Sequence, residues 1–189
     1  MKKITTLTVI AGLLCCHAYS QPENIDKTSV KGRSTELSLN INFPVSGYLK
    51  NISNISIGAE YSWSKERFGN MTIKPANLIG FTFNAGVDYF FGEKEELGTY
   101  SYKYDGTTYL HAYGGAIYNP CNRGNIRLTA GPSLELYSGE SEFGFGVNLS
   151  GSYYLCRCGN FGITPNFTLM KQGSSEAVTV AGVKFNYVF

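Results

Sequence analysis

The sequence predicts an all-β fold, an eight-stranded antiparallel up-and-down transmembrane β-barrel. Three observations predict it. Eight segments of about ten residues or more alternate apolar and polar side chains with period two, and a tilted strand needs about 9–11 residues to cross a bilayer. After the first twenty residues no apolar run reaches the roughly 18 residues of a membrane-spanning helix. The last segment, residues 177–189, has an apolar face that ends in Phe185, Tyr187 and Phe189. A soluble sheet rarely leaves such an edge free, whereas a closed barrel has no edge and gives that face a lipid solvent.

The ends agree with export. Lys2 and Lys3 precede an apolar stretch over residues 4–16, and Ala18-Tyr19-Ser20 fits a small-x-small cleavage site. Residues 1–20 therefore read as a signal peptide and 21–33, polar and without period, as a flexible leader. Residues 34–189 form the barrel domain. Leu13 and Leu14 before Cys15 argue against lipidation, which would want small residues there. The whole chain has 16 bases and 14 acids, so removal of Lys2 and Lys3 leaves 14 of each. No basic field remains to attract nucleic acid. Tyr (14), Phe (12) and Gly (22) are abundant, as strands and crowded barrel interiors require.

The strands follow in order. Residues 34–43 set Leu37, Leu39, Ile41 and Phe43 against Ser38, Asn40 and Asn42, and Pro44 ends the strand because it has no N–H for the ladder. Residues 54–64 alternate from Ile55 to Trp63, with Glu60 on the polar face. Residues 77–90 set Phe81, Phe83 and Val87 against Thr82, Asn84 and Asp88. Residues 92–98 read as an acidic loop. Asp105-Gly106 is a two-residue hairpin signal between 99–104 and 107–113. Since 99–104 is too short to span, it reads as a loop hairpin, with 107–118 as the spanning strand and its facing open. Residues 125–137 carry Arg127 and Glu135 on the polar face, and Pro132 predicts a bulge or local break. Residues 142–154, 160–171 and 177–189 complete the set, the last with Lys184 on the polar face. An even count places both termini at one end, which export makes periplasmic. NPCNRG and LCRCGN are then short periplasmic turns, and the long connection over 91–106 faces outward.

The export signal, the eight alternating strands and the terminal Phe189, with the segments GFTFNAGVDYFFG, LTAGPSLELY and AGVKFNYVF, resemble the small outer-membrane β-barrel proteins of Gram-negative bacteria. The similarity is to the OmpA/OmpX-like group and its porin-like barrel domains in Bacteroidetes. The resemblance implies an outer-membrane location and contact with outer-membrane lipid. It also implies no shared catalytic activity and recognition of the terminal strand by the outer-membrane assembly machinery, with Phe189 as the assembly signal; a monomer is expected.

The chemistry on offer is limited. Glu60, Asp88, Arg127, Glu135 and Lys184 fall on inward faces and predict a lumen charge network that must pair internally or with water. A narrow eight-stranded barrel is nearly filled by side chains, which argues against a wide pore. Cys121, Cys156 and Cys158 are an odd set, so one disulfide at most forms within the chain, Cys121 with Cys156 or Cys158. A fourth ligand is lacking for a metal, and neither a metal nor another cofactor is expected. His111 has no serine motif to serve as base for, so an enzyme is not expected. Tyr100, Tyr102, Tyr104 and Tyr109 mark a candidate surface-binding loop, whose partner would be an extracellular ligand or an envelope protein. The expected function is a structural or surface-binding barrel. A lipid-modifying barrel enzyme and a soluble secreted β-sandwich binding protein are the rivals, the second because it has the same period-two signature.

Overall fold

The computed structural model describes residues 33–65, 78–97, 100–121, 124–155, 161–173 and 176–189. Eight long strands close into one antiparallel barrel: β1 (Arg33–Ser46), β2 (Ser56–Lys65), β3 (Leu78–Phe90), β6 (Thr107–Cys121), β7 (Gly124–Tyr137), β8 (Glu140–Tyr154), β9 (Phe161–Gln172) and β10 (Val178–Val188). Each barrel strand pairs with its neighbours in sequence, and β1 closes the ring against β10, with Leu39 opposite Phe185. A sandwich would have packed two sheets face to face; here one sheet has no free edge. Two short strands outside the ring, β4 (Lys94–Leu97) and β5 (Tyr100–Lys103), form a separate hairpin beyond the mouth opposite the termini.

The period-two pattern sorts the side chains, and it sorts them inside out. Ser38, Asn40, Asn42, Ser62, Asn84, Asn148, Ser150 and Asn186 are buried, while Leu39, Ile57, Phe83, Leu128, Phe145, Leu149, Phe167 and Phe185 are exposed. In water this would expose a continuous apolar belt far beyond the patches soluble monomers tolerate. The same belt is what a bilayer requires of a barrel wall. Rings pair at both ends of the wall: Phe161, Tyr187 and Phe189 near the termini, at centroid spacings of 5.0 Å, and Tyr89 with Phe91 at the far mouth, at 5.1 Å.

Two local expectations change, and a third is met in one of its two forms. Pro44 does not end β1; the strand continues to Ser46 through a bulge against β10 between Pro44 and Ser46. The extra residue lets the chain keep its ladder although proline has no N–H to give. Pro132 makes the local break, not the bulge: the β7–β8 register runs unbroken past Pro132 and Phe145, while the pairing to β6 lapses at Gly131 and Pro132, between His111 and Gly114. Tyr100–Lys103 pairs with the acidic Lys94–Leu97 rather than with β6. Asp105-Gly106 therefore leads from the hairpin back into the barrel. β6 is committed on both sides to the barrel ladders, and its edge is not available to a third strand. A true two-residue turn joins β7 to β8, where Ser138 (φ 49°) and Gly139 (φ 85°) take the positive angles that a type I′ hairpin demands.

The connection from β1 to β2 folds inward. A single turn of helix, α1 (Leu49–Ile52), seats Leu49 at 0 % exposure against Phe90, Tyr109, Met170, Val178 and Val180. This is the one apolar core among the described residues, and it stoppers the mouth opposite the termini.

Candidate functional site

Glu60, Asp88, Arg127, Glu135 and Lys184 all lie buried in the barrel interior. They do not form one network. The register divides them among three clusters, each completed by a residue that strand patterning had not singled out.

At mid-barrel, Glu60 on β2 accepts hydrogen bonds from Lys184 Nζ at 2.7 Å, Asn84 Nδ2 at 2.9 Å and Ser62 Oγ at 3.2 Å. His111 joins it, with Nε2 at 3.0 Å from Glu60 Oε2 and Nδ1 at 3.7 Å from Asp88 Oδ2. Asn42 and Asn40 donate to Asp88 at 2.8 and 3.3 Å. The imidazole stacks on Tyr113 at a centroid distance of 4.9 Å. Glycines make room for this cluster. A Cβ at Gly58 would run into Asp88 Oδ1, and one at Gly86 would stand 2.8 Å from His111 Cε1.

Nearer the termini, Arg127 on β7 pairs with Glu36 on β1. Tyr154 donates to Glu36 at 2.7 Å and accepts from Asn125 Nδ2 at 2.9 Å. Asn186 reaches Glu36 at 3.3 Å and Thr164 at 2.6 Å. Glu36 shares the parity of Ser38, Asn40 and Asn42, and that shared parity could have found it. At the far mouth, Glu135 accepts from the Tyr48 hydroxyl, which also lies 2.5 Å from the Tyr109 hydroxyl. Burial, and then the bond to Glu135, push the Tyr48 phenol above its ordinary pKa. Tyr48 sits in a connection, where no periodicity marks which way a side chain turns.

The clusters leave little space. Two cavities of about 10 and 20 Å³ lie between them, both bordered by Glu60, Asn148 and Lys184. Each has room for a water molecule or two, so the interior is packed with side chains.

The tyrosines separate. Tyr100 is 81 % and Tyr102 57 % exposed on the hairpin. The Tyr104 hydroxyl donates to Glu95 at 2.8 Å, which raises the Tyr104 pKa. Tyr109 does not belong to that surface: it is 1 % exposed inside the barrel, because β6 turns Thr107, Tyr109, His111, Tyr113 and Ile117 inward and Leu110 and Tyr118 outward. Phe189 follows β10, exposed, with its N–H on the Thr35 carbonyl at 3.0 Å. Cys121 ends β6 opposite Gly124. Cys156, Cys158, the expected signal peptide over residues 1–20 and all of the expected leader but Arg33 lie outside the described residues.

No protein-family model matches the chain, and no curated protein sequence matches it. Solved structures do. Ail, the attachment invasion locus protein of Yersinia pestis, aligns at 13 % identity with a TM-score of 0.54, covering 84 % of this chain and 99 % of its own. Ail in complex with the heparin analogue sucrose octasulfate aligns at 12 % identity and a TM-score of 0.56, with the same coverage. The outer membrane enzyme PagL aligns at 10 % identity and a TM-score of 0.53, covering 80 % of this chain and 98 % of its own. These neighbours are small eight-stranded outer-membrane barrels. At such identities the likeness is one of fold, and it joins a binding protein and an enzyme on the same scaffold.

Proposed function

We propose that this chain is an exported, OmpA/OmpX-like barrel of a Gram-negative outer membrane, with a structural or surface-binding role and no catalysis. One observation carries the reading: a closed barrel whose wall is apolar outside and polar inside suits a bilayer and is ill suited to water. The packed interior and the stopper of Tyr48 and Leu49 favour a structural wall over a channel. The position of His111 favours a non-catalytic role. Its ring turns into the lumen between Glu60 and Asp88, away from the lipid-facing wall where an acyl chain would lie. The exposed tyrosines of the β4–β5 hairpin supply the binding surface, with an extracellular ligand or an envelope protein as partner.

Fractionation of the producing cells, followed by gel electrophoresis of unheated and boiled samples, tests the reading. Recovery with the outer membrane and a heat-dependent change in mobility is the expected outcome. Recovery in the soluble fraction with no mobility change would sink it.

A further inference from the structure

The β4–β5 hairpin has two unlike faces. Cross-strand partners share a face in an antiparallel pair, so Lys94 with Lys103 and Glu96 with Ser101 lie on one side, and Glu95 with Tyr102 lies on the other beside Tyr100. The first side is settled internally, since Lys94 and Glu96 pair at 3.3 Å. The second carries two exposed phenol rings and a carboxylate that no described cation meets. Tyr102 is held edge-on to Tyr104 at 5.0 Å, and Tyr104 in turn holds Glu95. The Tyr102 ring is therefore set in place before anything binds.

The surroundings are acidic on balance. Apart from the buried Glu135, the end of the barrel opposite the termini carries Glu93, Glu95, Glu96, Asp105, Glu140, Glu142 and Glu176 against Lys50, Lys94, Lys103 and Lys171, a net charge of −3. The remaining residues of these connections, Gly98, Thr99, Ser174 and Ser175 included, bear no charge. A field of this sign draws cations and repels polyanions.

We propose that the Tyr100–Tyr102–Glu95 face of the hairpin binds an arginine-rich polypeptide segment. Guanidinium groups stack on phenol faces and pair with a carboxylate at the same time, which ammonium groups do less well. The inference rests on the surface-binding reading above and deepens it by naming the chemistry of the partner. It also separates this chain from the neighbour seen with a heparin analogue, because a sulfated ligand would meet repulsion at this end.

The test uses the full chain as a folded barrel in nanodiscs and follows fluorescence anisotropy of labelled oligo-arginine, oligo-lysine of equal length and a heparin fragment. Oligo-arginine should bind in a salt-sensitive way, at least about threefold tighter than oligo-lysine. The Tyr100→Ala/Tyr102→Ala variant should abolish that preference. Glu95→Gln should weaken binding about three- to tenfold, and Glu96→Gln on the opposite face should stay within about twofold. Absence of binding, tighter binding of heparin, or equal effects of Glu95→Gln and Glu96→Gln would overturn the proposal. The heat-dependent mobility of the same preparation keeps the two readings apart. A barrel that shifts but binds nothing refutes the partner alone, and a preparation that never shifts refutes the barrel and the partner together.

Discussion

Lys184 and Glu60 meet at 2.7 Å from strands far apart in sequence, each side chain nearly free of solvent. Such a pair is a weak source of net stability, because desolvation of both ions offsets most of their attraction. Its removal by halves is costly. Lys184→Met leaves Glu60 with neutral donors and His111, and should lower stability by about 3–5 kcal/mol, read as the urea midpoint of unfolding from lipid vesicles. The double variant Lys184→Met/Glu60→Gln removes both charges and should recover most of that loss. A double variant as weak as the single would show that the amine, rather than the stranded carboxylate, sets the cost. The inward placement of both residues was legible in the sequence, since each sits on the polar face of an alternating strand. That His111 would join them was not. Its strand has aromatics on both faces, Tyr109 and Tyr113 inward and Tyr118 outward, so alternation gave no facing.

The spanning strands were legible because lipid and a packed interior select opposite residue types at every second position. The short elements were not. The pairing of β4 with β5 follows from where the free edges lie, and the Asp105-Gly106 signal pointed to the wrong partner. The inward fold of α1 depends on a fit between Leu49 and side chains from β3, β6, β9 and β10, which no local pattern encodes. Tyr48 latches that element from a single hydroxyl. Tyr48→Phe would keep the ring and remove the donor that Glu135 uses, and an unsatisfied buried acceptor costs about 1–3 kcal/mol. The loss should be local: faster amide exchange over residues 48–53, with the barrel ladders unchanged. Protection of those amides at the level of the unaltered chain would mean that Leu49 alone holds the stopper.

Across the molecule, formal charge balance conceals a separation. The mouth opposite the termini is acidic, while the terminal end has Arg33 and Lys65 on its strands among the described residues. Net charge alone could not reveal this, because it appears only once strand order assigns each connection to an end. Between those ends the wall must be apolar if lipid surrounds it, and that requirement gives the sharpest whole-molecule prediction. Leu149 is half exposed and lies between Leu128 and Phe167 across the two adjoining ladders, well inside the belt. Leu149→Arg should destabilise the barrel in vesicles by about 2–4 kcal/mol, as a charge held near the bilayer midplane does. Glu140→Arg, at the turn beyond the belt, should cost almost nothing. In a water-exposed wall the ranking would vanish, since Leu149→Arg would then remove an apolar patch and leave stability within about 0.5 kcal/mol. Equal midpoints for the two variants would therefore refute the lipid-facing wall even if the barrel itself stayed closed.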